Sequence, residues 1–213
     1  MSIDIYDGAI PDPIYSSSDM LSITSLMEDI MYLLPGVSDV MVRKVLADVY
    51  RDFCKRTAVL VKSQVSRDIT PDNPIMILCD GLGDIGIVRA AMVDDREIPL
   101  EVVVNDCGCV GVNFKRRVYN DDIMHEYRAV YSIVPKVGCE IAPTWFLNRY
   151  GSAIVNGALF KLQSMTGKPW SDPAQANMNA LRYTDGLNNA TVDRLTKTAS
   201  GDLNCRARLP WII

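Results

Sequence analysis

Apolar positions along this 213-residue chain change period twice. Near the start, Ile23, Leu26, Met27, Ile30, Met31 and Leu34 recur in steps of three and four, the single stripe of an amphipathic helix. Pro35-Gly36 stops it. A second stripe follows with Val42, Val45, Leu46, Val49, Tyr50 and Phe53, opposite a charged face running from Asp39 to Arg56. Ser38 suits the N-cap of that helix, with Val37 and Val42 placed as a hydrophobic staple, and Thr57 ends it. From 58 to about 134 the pattern turns to short apolar runs separated by turn residues. The runs are Val59–Val61, Ile75–Leu78, Ile87–Val88, Leu100–Val104, Val110–Phe114 and Ala129–Val134. Asp72–Pro74, Asp80–Asp84, Asp94–Glu97 and Asn105–Asp106 read as the turns between them. Helical spacing then returns with Phe146, Tyr150, Ile154, Gly157, Ala158 and Met165, with Pro143 expected at the first helical position. A last helix is expected over 173–195, with only Met178 and Leu181 as a weak stripe.

This order predicts an α+β fold: a four-helix bundle of two helical hairpins, an inserted antiparallel β-sheet or sandwich, and extended N- and C-terminal arms. The expected divisions are 1–57 for the arm and first hairpin, 58–140 for the β part, 141–200 for the second hairpin and 201–213 for a tail. Between the last two helices lies SMTGKPWSDP, from Ser164 to Pro173. It is not a nucleotide loop, because proline follows the lysine and a helix, not a strand, precedes it. It reads as an αα-corner. Gly167 ends one helix, Pro169 blocks its continuation, Asp172 caps the next and Trp170 is free to plug the hairpin.

Charge and cysteine content narrow the function. Net charge is −4, which disfavours wrapping nucleic acid but suits a surface that DNA slides past. The acidic first residues lack the basic segment of a signal peptide, and no apolar run approaches ~20 residues. Synthesis and folding in a cytoplasm, with no membrane, are therefore expected. Six cysteines include one close pair, Cys107 and Cys109, and no second pair with zinc spacing. They are expected as free thiols, with disulfides left open. The one histidine, His125, could hold a metal with Asp121 or Asp122, but a solvated acidic loop is the plainer reading. Lys115-Arg116-Arg117 could meet a phosphate or guard an exposed strand edge. No catalytic residue, metal or cofactor is expected. The segment from Arg182 to Ile213 holds five basic and three acidic residues, a net of +2, and ends in Arg206, Arg208, Leu209, Pro210, Trp211, Ile212 and Ile213. Such an apolar end either packs on its own domain or docks on a neighbour.

Two stretches resemble a known family. LLPGVSDVMVRKVLADVYRDFCKRT (33–57) and APTWFLNRYGSAIVNGALFKLQSMTGKPWSDPAQA (142–176) look like the helices of tailed-bacteriophage head-to-tail adaptor (connector) proteins. In that family a Pro-Gly or Pro-x-Cys turn often precedes a helix ending in an FC-basic-basic motif, and a Pro-x-Trp start leads through a Gly-Ala-Leu run to GKPWSDP. The specific motifs cover about 60 of 213 residues, and the cysteine count departs from the family. The resemblance implies a non-enzymatic virion protein forming a ring, dodecameric in expectation, beneath the portal. Such a ring links the capsid to tail or nozzle and neck proteins and continues the DNA channel without sequence-specific binding. It implies portal docking by the tail from Arg206 to Ile213. Contacts between subunits are expected on the charged helix face through Asp39, Arg43, Lys44, Arg51 and Lys55. A tail-completion or terminator protein, or a small metal-dependent enzyme around His125, are the alternatives.

Overall fold

The computed structural model describes residues 20–81, 83–105, 107–115 and 124–199, with side chains to 196. The order is β1 (Met20–Ser22), a 3-10 turn (Ile23–Leu26), α1 (Met27–Leu33), α2 (Asp39–Thr57) and β2 (Val61–Ser66). Then come β3 (Ile75–Ile77), β4 (Gly83–Val93), β5 (Arg96–Ile98), β6 (Val102–Val104), β7 (Val110–Asn113), β8 (Tyr127–Pro135) and β9 (Ile141–Pro143). Two long helices close it, α3 (Thr144–Gln163) and α4 (Pro173–Ala199). The class is mixed α+β.

The four-helix bundle expected from the sequence does not form. The first apolar stripe is split: its upstream part is a 3-10 turn, and only seven residues make α1. Two helical turns cannot line a seam beside helices of 19, 20 and 27 residues. The residues ahead of α1 form a strand instead, with β1 pairing antiparallel to β9 and the Ile23 N–H donating to the Glu140 carbonyl at 2.8 Å. α2 is also buried too widely for a bundle position. Ala47, Cys54 and Thr57 are covered as well as the expected stripe, because α2 packs on α3 and α4 and also on β8.

The β segment divides into two larger antiparallel sheets, β2-β8-β4-β5 and β3-β7-β6, beside the small β1-β9 pair. β8 is central and buried at every position but Arg128. Phe114, just past β7, sets its ring edge-on to Tyr127 of β8 at 5.2 Å, and the Tyr131 hydroxyl donates to the Cys79 carbonyl at 3.2 Å. These contacts join the two larger sheets. The expected Asp94–Glu97 turn is shorter than its sequence signal. Only Asp94 and Asp95 turn, at φ 49° and 60°, the left-handed pair that a two-residue hairpin requires. Arg96 and Glu97 pair with β4 as β5. Of the expected Asp80–Asp84 turn, Gly83 and Asp84 already pair with β8 as the start of β4, and Asp80 fastens the bend before them. The Asp80 carboxylate accepts from the Gly83 N–H at 3.1 Å and from Lys62 at 2.6 Å.

In the helical layer, Phe53 lies among the rings of Phe146, Tyr150 and Tyr183, with centroids 5.8, 5.5 and 6.1 Å away. Close approach depends on two glycines. A Cβ at Gly157 would meet the Val49 side chain at 2.7 Å and the Tyr183 ring at 2.8 Å. A Cβ at Gly186 would overlap that of Ala153. The αα-corner is as read. Gly167 has φ 72°, and the Asp172 carboxylate accepts from the N–H groups of Ala174 and Gln175 at 3.0 and 3.1 Å. Trp170 packs half-buried against the core. Pro143 stands one place earlier than expected, as the N-cap of α3.

Replacing Gly157 by alanine adds helix propensity worth about 1 kcal/mol, yet it forces Val49 and Tyr183 apart. The expected result is net destabilisation of about 1 kcal/mol in urea unfolding. Phe53→Ala removes the centre of the ring cluster and is expected to cost about 3–5 kcal/mol.

Candidate interaction surface

Helix α4 places its small and aromatic residues inward. Ala176, Asn179, Tyr183 and Ala190 are buried, with Leu187 packed half-covered against the same core. The Tyr183 hydroxyl donates to Asp52 of α2 at 2.9 Å, and Asn179 donates to Gln163 of α3 at 2.8 Å. Burial and the Asp52 carboxylate push the Tyr183 phenol far above its ordinary range. With the inward face so filled, Met178 and Leu181, the expected stripe, point out with Val192 and Leu195. The missed signal lay in the spacing of small residues, which carries little hydropathy.

A second exposed apolar group sits where α1 meets α2. Tyr32 and Val40 are 87% and 79% exposed, with Met31 and Leu33 beside Tyr32 and the exposed acids Glu28, Asp29 and Asp39 nearby in the chain. α1 packs on α2 and α3, and α4 packs on the same two helices. Among the described helices, exposed apolar residues thus gather on α1 with the start of α2 and on α4.

The charged residues of α2 divide by role. Arg51 donates to the Pro135 carbonyl and pairs with Asp84 at 3.1 Å, and Arg43 pairs with Glu140 at 3.3 Å. Both fasten α2 to the β part. Asp39, Lys44 and Lys55 stand exposed on the outer face. Cys107 and Cys109 are exposed free thiols in the β6–β7 turn, and Cys54 is a fully buried one whose pKa burial raises. Arg206, Arg208, Leu209, Pro210, Trp211, Ile212 and Ile213 lie outside the described residues, as do Asp121, Asp122, Arg116 and Arg117.

His125 is held by a carboxylate. Its Nδ1 lies 2.5 Å from Asp94 at the β4–β5 turn, and Asp94 also accepts from the Glu126 N–H at 2.9 Å. Glu126 pairs with Arg128 at 2.9 Å and Arg67 at 3.1 Å. This network ties the start of β8 to the hairpin tip and to the end of β2. Among the described residues no three His, Cys, Asp or Glu side chains gather as a metal site.

An open groove of about 400 Å³ lies between α3 and α4, lined by Arg149, Tyr150, Ser152, Gly186, Val192 and Asp193. Arg149 grips Asp193 with two hydrogen bonds at 2.6 and 2.7 Å. The Tyr150 hydroxyl donates to the same carboxylate at 2.7 Å, and burial followed by that bond pushes its pKa up to about 12. The arrangement is an interhelical clasp. No helix among the described residues is long and apolar enough to cross a membrane. No protein-family model matches the chain, and no curated protein matches its sequence.

Asp94 is held below its ordinary pKa, first by the Glu126 N–H and then by His125; Glu126 is lowered by Arg128 and Arg67. Carboxylates with depressed folded values contribute stability above their unfolded pKa, near 4, and lose it as pH falls through the folded value. Melting temperature is therefore expected to drop between about pH 5 and pH 3. Asp94→Asn is expected to lower it at pH 7 and to shrink that acid-induced drop.

Proposed function

We propose that this chain is a head-to-tail adaptor of a tailed-bacteriophage particle. In this reading it is a non-enzymatic virion protein that joins a ring beneath the portal, dodecameric by resemblance, and continues the DNA channel. One observation carries the reading. The two stretches that resemble the family, 33–57 and 142–176, are far apart in the chain yet pack on each other as one unit. Phe53 of the first meets Phe146 and Tyr150 of the second, and Val49 meets Gly157. The resemblance therefore falls on a single packed helical body, not on scattered similarities.

Two surface features support it. A closed ring needs two different surfaces on each subunit, and the exposed apolar apex where α1 meets α2 supplies one of them. The exposed part of the α2 charge face, Asp39, Lys44 and Lys55, adds polar groups from which a neighbour can take pairs. The net charge of −4 lets DNA pass without being held. The tail from Arg206 to Ile213 is assigned to the portal side, and its Trp211 and flanking arginines are residue types that anchor such contacts.

The test is a mass measurement of the full chain with and without its cognate portal ring. The expected outcome is a portal complex carrying a ring of copies. A chain ended after Gly201 is expected to keep its circular dichroism and lose attachment. Attachment by the shortened chain would remove the role of the tail; no attachment by the full chain would overturn the adaptor reading.

A further inference from the structure

The outer face of α4 is ordered beyond being apolar. Met178, Leu181, Asp185, Asn188, Val192 and Leu195 are all exposed and follow one another in alternating steps of three and four. That is the spacing of a two-helix coiled-coil seam, which runs here for about 25 Å. Its four apolar members are 50%, 64%, 57% and 55% exposed, in chain order. The inward face of the same helix is already filled by Ala176, Asn179, Tyr183 and Ala190, so this seam is a second, unpartnered one.

The order of residues reads alike from both ends. Two apolar residues, a carboxylate, an amide and two apolar residues follow in turn. Laid antiparallel on a second copy of itself, the seam sets Met178 against Leu195, Leu181 against Val192 and Asp185 against Asn188. All three pairs share one two-fold axis, between 186 and 187. We propose that α4 is a homodimerisation helix, pairing antiparallel with α4 of a second copy through this seam.

Chemistry at the centre selects the orientation. Asp185 offers only acceptors when ionised, and Asn188 offers an amide N–H₂, so each copy satisfies the other twice. A parallel pairing would place Asp185 against Asp185 and lose that match. A central polar pair weakens a coiled coil somewhat but fixes its register and direction. The flanking positions Thr184, Asn189, Thr191 and Thr196 are uncharged, so only Arg182 brings charge to the border. The contact is isologous and closes on itself. It is independent of the adaptor reading, which requires a different, ring-forming contact.

Sedimentation equilibrium of the full chain is expected to give a monomer–dimer equilibrium. Leu181→Glu is expected to raise its dissociation constant about tenfold or more, with unchanged circular dichroism because Leu181 is exposed. Asn188→Asp sets carboxylate against carboxylate and is expected to weaken the dimer, whereas Asp185→Asn spares it. Orientation is read by oxidation. The double variant Leu181→Cys/Val192→Cys is expected to cross-link between copies. Each single variant is expected to stay at the background of the native thiols, its new cysteines lying about 16 Å apart along the axis. Three results would each overturn the proposal: a monomer at every concentration, an oligomer untouched by Leu181→Glu, or single variants that cross-link as well as the double one.

Discussion

The helical half depends on how closely α4 can approach α3 and α2. Gly157 and Gly186 leave no Cβ between the helices, so the Tyr183 ring lies on Gly157 and Gly186 lies on Ala153. That approach brings Tyr183 to Phe53, and Phe53 in turn to Phe146 and Tyr150. It also sets which face of α4 is left outside. Larger residues at either glycine would lift α4 away and open the ring cluster to water.

The same layer is bound to the sheets by the end of α2. Ala58 takes a left-handed conformation, at φ 49°, and turns the chain toward β2. The last carbonyls of the helix are answered from elsewhere in the chain: Arg194 of α4 donates to Thr57, and Arg89 of β4 donates to Ala58. The Arg51 side chain reaches the end of β8 and Asp84 of β4. Guanidinium groups suit this work because they stay charged and offer several donors in a fixed fork. Arg51 and, through Glu140, Arg43 are thus paired within the chain.

Much of the layout was legible in local patterns. The α2 stripe, its start after Ser38, and the corner from Gly167 to Pro173 were readable because each rests on neighbouring residues. Strands β1, β5 and β9 were not readable. Each has three residues and, unlike β3 and β6, is not made of β-branched or long apolar side chains throughout; β1 and β9 exist through pairing with each other across the chain, and β5 through its hairpin with β4. The split of the first helix escaped for the same reason: β1 is drawn into a ladder with β9, about 120 positions along the chain.

The sequence by itself determined the class of the fold, the long helices, the αα-corner and the acidic balance, because periodicity, caps and charge are properties of short stretches. Only the tertiary structure decided that the helices do not form a four-membered bundle, since α2 divides its burial between helices and sheet. It also decided that Met178 and Leu181 face solvent. Hydropathy marks a residue as apolar but does not say which of two faces of a helix is covered. On α4 the glycine and alanine face was covered, because only small residues allow backbones to come so near.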